Sequence, residues 1–214
     1  SMKKIFINGS SGKMGQAVSD NLKKYNFDET NRIEYCDVAI DFSHPNSTNE
    51  IIDKCVQNDK PLIIGTTGLS DEDFKVINKA CGSIPIVYAS NFSNGILNLK
   101  KSISDFLINS NEEYHCEIEE IHHNQKKDFP SGTAVDIRKF VSQNDKKKLV
   151  KSLKTISLRE GDIFGIHKVI FKNDNKYLEF QHEALSREVF ATGALSAARK
   201  VIELSPNLYS IDEF

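Results

Sequence analysis

The chain has 214 residues, of which 39% are hydrophobic and 27% charged, and its formal net charge is -2. This composition is typical of a globular protein with its own core, and the charge argues against nucleic acid or an anionic membrane as a partner. The longest apolar runs are strand-sized, so we expect no segment that spans a bilayer. The four cysteines are widely spaced without a C-x-x-C pair, which favours free thiols and a cytoplasmic protein.

The first part of the chain alternates strand-like apolar runs with helical stripes. Strands are predicted at residues 4–8, 37–42, 62–64 and 84–88, and helices at residues 16–24, 48–57 and 71–81. This alternation predicts a parallel sheet with helices on both faces, a Rossmann-like doubly wound α/β domain. Residues 25–36 are too few for a further strand with its helix. Asp28 or Glu29 could serve as the acidic contact of a dinucleotide ribose, but we prefer to interpret both as surface turn residues.

After about Asn91 the pattern changes to one long helix and then mixed strands. Helices are predicted at residues 95–108, 131–142 and 191–204, and strands at residues 117–121, 153–158, 165–171 and 177–182. This order predicts an α+β second domain. No segment rich in proline or glycine separates the two parts.

A glycine-rich loop follows the first predicted strand, with the spacing Gly9-x-x-Gly12-x-x-Gly15. Glycines let the backbone approach a pyrophosphate, and the N-terminus of the following helix offers N–H groups and a positive dipole end. The spacing differs from the usual G-x-G-x-x-G pattern. A dinucleotide loop and an ordinary glycine-rich turn therefore explain these residues about equally well.

Residues 117–134 read E-I-E-E-I-H-H-N-Q-K-K-D-F-P-S-G-T-A and gather acid/base groups before a helix start. His122 and His123 end a predicted strand and should point to opposite sides, while Lys126 lies in the loop that follows. The first N–H groups of the next helix, at Gly132 and Thr133, can hold a carboxylate. The segment predicts proton transfer to an anionic, imine-like substrate.

Two other interpretations of this segment stay open. Paired lysines are often no more than a solvated surface. A His-His pair can bind zinc, but zinc needs a third and a fourth ligand, and His115 and Cys116 lie well away along the strand. We therefore expect no metal.

The sequence resembles the 4-hydroxy-tetrahydrodipicolinate reductase family, also called dihydrodipicolinate reductase, of diaminopimelate and lysine biosynthesis. The family pattern is approximately E-I/V-x-E-x-H-x-x-x-K-x-D-x-P-S-G-T-A, and residues 117–134 match every specified position. Further blocks agree in the same order, at residues 9–15, 38–43, 64–68, 89–93, 159–167 and 186–194. The loop at residues 9–15 is similar to the family's G-x-x-G-R/K-M-G, which accounts for its glycine spacing.

The resemblance implies a role for each matching residue. His122 and Lys126 correspond to the family's proton donors, and His123, Gly132 and Thr133 to its contacts with the substrate carboxylates. The implied contacts with NADH, NADPH or both are Gly9, Ser10, Ser11, Gly12, Lys13, Met14, Gly65, Thr66, Thr67, Ala89, Ser90, Asn91 and Phe92. The family uses no metal.

The resemblance also implies how the chain is organised. Residues 1–92 plus 188–214 should form the dinucleotide-binding domain, and residues 93–187 the domain for substrate binding and oligomerisation. The implied partners are a small dicarboxylate substrate and other copies of the chain in a homotetramer. The segment before Asp37 is shorter than is usual in the family, and neither the acidic ribose contact nor its basic neighbour can be placed in it.

The expected function is reduction of 4-hydroxy-tetrahydrodipicolinate to tetrahydrodipicolinate by NADH or NADPH. A non-catalytic nucleotide-binding relative, such as a redox sensor, is the main alternative. A metallohydrolase based on His122 and His123 lacks a clear third ligand in the sequence. Another Rossmann reductase would explain the glycine loop but not the P-S-G-T-A segment.

Overall fold

The structure is a computed structural model that describes residues 2–214. The chain divides into two compact units. One joins the chain up to Phe92 with Arg187–Phe214, and the other is the continuous segment Ser93–Ser186. None of the helices in the described residues has the length and apolar character that crossing a membrane requires.

Within residues 2–214, ten strands and six α-helices make up the two units, together with short 3₁₀ turns. The strands are β1 (Lys3–Asn8), β2 (Phe27–Glu29), β3 (Val38–Asp41), β4 (Leu62–Ile64), β5 (Pro85–Tyr88), β6 (Tyr114–His122), β7 (Val150–Arg159), β8 (Ile166–Lys172), β9 (Tyr177–Glu183) and β10 (Asn207–Ser210). The helices are α1 (Lys13–Asp20), α2 (Pro45–Asn58), α3 (Asp71–Ala80), α4 (Asn94–Asn109), α5 (Gly132–Asn144) and α6 (Glu188–Val201).

The first unit contains a six-stranded parallel sheet in the order β10-β5-β4-β3-β1-β2. Its strands β3, β4 and β5 are buried on both faces because helices cover both faces. In β3, Val38 and Ile40 join the core beneath α1 and α6, whereas Ala39 joins the core beneath α2 and α3. The predicted doubly wound α/β fold is confirmed.

Two strands of this sheet were not predicted. β2 pairs with β1 over Phe27–Glu29, so the interpretation of Asp28 and Glu29 as turn residues is wrong. A single 3₁₀ turn at Ile33–Tyr35 replaces the helix that normally follows such a strand, and this makes the segment short enough to fit. β10 pairs with β5 at the other edge.

The second unit contains a four-stranded mixed sheet in the order β7-β6-β8-β9. β6 is parallel to β7 and antiparallel to β8, and β8 is antiparallel to β9. The buried faces of α4 and α5 contribute to one core with this sheet, around the fully buried Ile118, Ile137 and Phe171. The predicted α+β character of this part is confirmed.

Candidate active site

The glycine loop of the first unit has a backbone that excludes side chains. Gly9 has φ +85°, and a Cβ atom there would lie 2.2 Å from the carbonyl oxygen of Phe42. A Cβ atom on Gly15 would lie 2.1 Å from the carbonyl oxygen of Gly9. Gly12 is the N-cap of α1, and no side chain caps this helix. The loop is therefore a cradle at a helix N-terminus that an anionic pyrophosphate can approach closely.

A buried carboxylate ties together the loops that follow β1, β3 and β4, two of which hold predicted cofactor contacts. Asp41, at the end of β3, is fully buried. Its oxygens accept hydrogen bonds from Asn8 Nδ2 at 2.9 Å, Ser43 Oγ at 2.5 Å, Thr48 Oγ1 at 2.5 Å and Thr66 Oγ1 at 2.8 Å. Asn8 directly precedes the glycine loop. Because the Thr66 hydroxyl is used within this network, a cofactor can meet Thr66 only through its backbone.

The remaining cofactor candidates follow β4 and β5. The strands β1, β3, β4 and β5 are parallel, so their carboxyl ends lie at one edge of the sheet, where such folds bind dinucleotides. Gly65 packs against the Phe42 ring, and a Cβ atom there would lie 2.2 Å from it. Phe92 is buried, and Gly193 of α6 lies close against its carbonyl oxygen. Thr67 is exposed.

The end of β2 lies beside this set, because β2 is parallel to β1. Glu29 is the last residue of β2, is exposed, and accepts a hydrogen bond from Ser19 Oγ at 2.8 Å. An acidic side chain at the end of this strand is what the ribose of a dinucleotide requires. Sequence reasoning considered Glu29 for this contact but preferred a surface turn, because the strand is only three residues long. Together the cradle, the shared sheet edge and Glu29 fit a nicotinamide dinucleotide.

In the second unit, His122 is the last residue of β6 and is 8% exposed. Its Nδ1 lies 2.5 Å from Oε2 of the fully buried Glu120, an ion-pair contact without the angles of a hydrogen bond, and neither atom has a hydrogen-bond partner among residues 2–214. The other carboxylate oxygen accepts from Arg159 Nη1 at 2.6 Å. Burial would raise the pKa of Glu120, but the contacts with His122 and Arg159 and their positive charges lower it to about 2.

Strand register assembles this cluster. Arg159 lies opposite His122 across β7 and β6, and His167 lies opposite Glu120 across β8 and β6. His167 is 1% exposed, and its ring centroid lies 5.0 Å from that of His122. Burial, together with the neighbouring His122, lowers the pKa of His167 to about 3. His167 is therefore neutral near pH 7.

The loop after β6 brings further predicted residues close to His122. Lys126 Nζ lies 2.9 Å from Asp128 Oδ1, and the Lys126 side chain is 17% exposed. Ser131 caps α5 by accepting from the N–H of Ala134 at 3.1 Å, and its Oγ lies 3.1 Å from His167 Nε2. Gly132 and Thr133 form the first turn of α5, as predicted.

The two adjacent histidines differ as the strand pattern predicted. His122 lies in β6 and is buried, whereas His123 lies just beyond the strand, is half-buried, and donates its backbone N–H to Ile163 O at 2.8 Å. His122 joins the cluster with Glu120 and His167, and His123 is not part of it.

This cluster contains three groups that are chemically able to bind a metal, Glu120, His122 and His167. A third ligand therefore does exist, although the sequence interpretation found none. The 2.5 Å between Nδ1 and Oε2 is a hydrogen-bond distance, shorter than the roughly 3 Å expected between two ligands on zinc. The Arg159 guanidinium on the same carboxylate would also repel a cation. The geometry favours a hydrogen-bonded acid/base cluster.

Sequence reasoning did not assign a role to Glu120, Arg159, His167 or Asp41. All four stand inside quoted motif blocks, Asp41 at residues 38–43, Glu120 at residues 117–134, and Arg159 and His167 at residues 159–167. Their presence in those blocks was the available signal. Only the strand register shows that they meet.

Comparisons with known proteins agree with the motifs. The family described as dihydrodipicolinate reductase, N-terminus, matches residues 25–92, and the one described as dihydrodipicolinate reductase, C-terminus, matches residues 94–214. The 4-hydroxy-tetrahydrodipicolinate reductase of Bdellovibrio bacteriovorus is 35% identical to this chain. The match covers 98% of this chain and 96% of that protein. The reductase of the same name from Campylobacter lari is 36% identical, and the match covers 99% of this chain and 98% of that protein.

Solved structures show the same fold at lower sequence identity. A dipicolinate-bound dihydrodipicolinate reductase from a Paenisporosarcina species has a TM-score of 0.73 and 21% identity, with 98% of each chain covered. The amine dehydrogenase of Mycobacterium smegmatis has a TM-score of 0.64 and 8% identity, with 99% of this chain and 96% of that chain covered. The resemblance found in the sequence is confirmed: this chain belongs to the dihydrodipicolinate reductase family, as an oxidoreductase that uses a nicotinamide cofactor.

Proposed function

We propose that this protein reduces 4-hydroxy-tetrahydrodipicolinate to tetrahydrodipicolinate, with NADH or NADPH as the reductant. The observation that carries the proposal is the complete acid/base set on one short segment. His122 is paired with a buried carboxylate, Lys126 follows one turn later, and the N-terminus of α5 comes next. Relatives that bear this enzyme name are 32% to 36% identical over nearly the whole chain.

The first role of these residues is to bind a cyclic imine that carries two carboxylates. The N-terminus of α5, at Gly132 and Thr133, provides a positive dipole end for one carboxylate. The ammonium group of Lys126 and the imidazole of His123 provide further polar contacts. Holding the ring at its charged groups fixes the orientation of its reacting carbon.

The second role is proton delivery. The bound nicotinamide cofactor supplies a hydride to C4 of the conjugated imine that forms as water leaves. Lys126 or His122 then donates the proton that completes tetrahydrodipicolinate. Asp128 holds the Lys126 ammonium group at 2.9 Å, so this donor is in place before the substrate binds. The positive charge of Lys126 also stabilises negative charge that develops on the ring.

The first unit has the complementary role of binding the cofactor. The cradle of Gly9 to Met14 would hold the pyrophosphate, and the segments 65–67 and 89–92 would contact the nicotinamide half. Glu29 would accept hydrogen bonds from the adenosine ribose, which favours NADH because a carboxylate repels a 2′-phosphate. Arg32, three residues later, is exposed and pairs with Glu34 at 3.4 Å. Its guanidinium would be available to a 2′-phosphate, so NADPH would still be accepted.

The proposal also includes assembly and location. We expect a homotetramer built on the sheet of the second unit, as the family resemblance implies, and light scattering after gel filtration would give the mass. A cytoplasmic location is a prediction that rests on the four cysteines, which are all free, three of them buried.

The test is to follow the loss of nicotinamide absorbance with substrate generated from pyruvate and aspartate semialdehyde by its synthase. NADH and NADPH are supplied in parallel, and the control omits the synthase. We expect turnover only when the synthase is present. Cofactor binding by folded protein without any turnover would instead support a non-catalytic relative.

A matched pair of variants tests the catalytic loop. Lys126→Ala should lower kcat by about 100-fold or more while cofactor affinity is kept, since general acid catalysis contributes on this scale. Lys127→Ala is the control, because Lys127 is exposed and adjacent. Equal turnover in the two variants would rule out Lys126 as a proton donor.

A further inference from the structure

Glu120 is a buried charge that the proposed reaction does not yet use. It lies on β6 between Ile118 and His122, on the face that is buried in the second unit, and it is 0% exposed. A buried carboxylate is costly unless it is paired and hydrogen-bonded. Each oxygen of Glu120 has one cationic or ring-nitrogen partner, Arg159 on Oε1 and His122 on Oε2.

Arg159 connects this carboxylate to the loop that carries Lys126. Its Nη1 donates to Glu120 and to Leu158 O at 2.7 Å. Its Nε donates to Lys126 O at 3.3 Å, and its Nη2 donates to Asp128 O. The guanidinium carbon also lies 4.1 Å from the centre of the Phe129 ring. One side chain therefore holds the backbone on both sides of residue 127 and the carboxylate that binds His122.

The Glu120 contact decides which ring nitrogen of His122 carries a hydrogen. The ionised carboxylate has no hydrogen to offer, so its 2.5 Å contact favours a hydrogen on Nδ1 and leaves Nε2 as the nitrogen that can exchange a proton with the substrate. Gly165 faces that nitrogen, and a Cβ atom there would lie 3.0 Å from it, so the glycine leaves Nε2 uncovered on this side. Among the described residues, the charged or titratable groups around the ring are Glu120 on β6, Arg159 on β7 and His167 on β8.

We propose that Glu120 and Arg159 are positioning residues that hold both candidate proton donors, His122 through the carboxylate and Lys126 through the loop carbonyls. The proposal deepens the proposed function and rests on it. Neither residue needs to touch the substrate. An alternative role, in which the pair only stabilises the fold, would leave the tautomer of His122 and the pH dependence unaffected.

The first experiment compares Glu120→Gln with Glu119→Gln, its neighbour on the other face of β6. In E120Q the amide oxygen is taken by Arg159, so the amide N–H₂ faces Nδ1 and forces the hydrogen onto Nε2. We expect kcat to fall by about 100-fold or more, a loss typical of a misprotonated general acid. The KM for the cofactor should stay within about twofold, and E119Q should match the wild type.

Two further measurements separate positioning from stability. Nitrogen NMR of the apo protein should show the Nδ1–H tautomer of His122 in the wild type and the Nε2–H tautomer in E120Q, and this result does not depend on turnover. In addition, the profile of kcat against pH should differ between E120Q and the wild type, because the substitution removes the carboxylate that contacts the His122 ring. An unchanged tautomer and an unchanged profile would overturn the proposal.

Arg159 is tested by replacement and chemical rescue. Arg159→Ala should lower kcat, millimolar guanidinium chloride should restore part of it, and sodium chloride at the same concentration should not. Arg159→Lys should remain impaired, because one ammonium group cannot reach the four acceptors of the guanidinium. The control is Arg138→Ala, since Arg138 is exposed and its one side-chain contact is with Thr155 Oγ1 at 3.1 Å.

The outcomes distinguish the two proposals. An inactive but folded wild type would refute the proposed function, and the tautomer measurement would still decide the positioning role. An active wild type with an equally active E120Q would refute the positioning role alone. Should E120Q fail to fold, guanidinium rescue of R159A decides whether the pair has a positioning role. Recovery of kcat would support that role, and no recovery would refute it.

Discussion

The hydrogen-bond network around Asp41 allows a quantitative prediction about the first unit. In Asp41→Asn, one carboxylate oxygen becomes an N–H₂ group that faces two donors, such as the hydroxyls of Thr48 and Thr66 on Oδ2. Each hydrogen bond to a charged acceptor contributes roughly 1.5 kcal/mol or more, so losing two predicts about 3 kcal/mol of destabilisation. Rotation of the hydroxyl groups cannot recover all of it, because a hydroxyl that turns to accept from the new N–H₂ group leaves its own hydrogen without the acceptor it had on Asp41.

The same substitution should weaken cofactor binding. Asn8 leads into the glycine loop, and Ser43 and Thr66 lie at the ends of the neighbouring strands, so all three loops lose their common anchor. If about half of the lost free energy comes from loops that must be ordered to bind NADH, binding weakens by roughly 1.4 kcal/mol. This corresponds to a Kd for NADH that is about tenfold higher.

The assay is urea unfolding by far-UV circular dichroism at one fixed protein concentration, with Kd from NADH fluorescence. The chain has no tryptophan, so protein emission does not overlap with the excitation of NADH. The control is Asp53→Asn on the exposed face of α2, which should change stability by less than about 0.5 kcal/mol. A D41N protein as stable as this control, with the Kd of the wild type, would refute the reasoning.

Three further predictions address the loop, the cofactor and the effect of pH. Gly15→Ala should abolish NADH binding in a fluorescence titration, because its Cβ would lie 2.1 Å from Gly9 O, whereas Gly82→Ala should be tolerated with its nearest contact at 3.4 Å. Glu29→Gln should raise the ratio of NADPH to NADH turnover, and an unchanged ratio would exclude Glu29 as the ribose contact. Burial lowers the pKa of His167 from 6.5 to about 3, so between these pH values the unfolded chain takes up a proton that the folded chain does not. Stability should therefore fall on acidification by up to about 1.4 kcal/mol per pH unit, and His167→Gln should reduce that slope in urea titrations at several pH values.

Much of the fold could be predicted from local sequence patterns. The apolar runs of β1, β3, β4 and β5 and the stripes of α2 and α3 carry periods that depend only on nearby residues. The predicted starts of the helices were less accurate than the predicted strands. α2 begins at Pro45, three residues before the predicted start, with His44 as its N-cap, and a proline at the first helical position is itself a start signal.

The two missed strands had no such local signal. β2 is three residues long with one buried side chain, and β10 is four residues long with none fully buried. Neither has enough residues to display an alternating pattern. Both are edge strands that exist because the next strand inward, β1 or β5, supplies backbone partners that lie far away in the sequence.

In the candidate site, too, local sequence patterns predicted some residues, whereas contacts that depend on strand pairing were not predicted. The motif at residues 117–134 identified His122 and Lys126 because their spacing is local. The neighbours of His122 depend on register, which brings Arg159 opposite His122 and His167 opposite Glu120. A shift of one residue in either pairing would turn those side chains to the other face, and no local pattern fixes that shift.

The interrupted first unit has a consequence for the order of folding during synthesis. The second unit is one continuous segment, so its helices and sheet can form as soon as that segment has left the ribosome. The first unit must wait for α6 and β10, which supply buried alanines such as Ala194 and Ala198 and the partner of β5. Until then β5 is an open strand edge, the kind of surface on which chains aggregate. An inserted unit that is already folded holds the two parts of the first unit together, which lowers the entropy cost of closing that long loop.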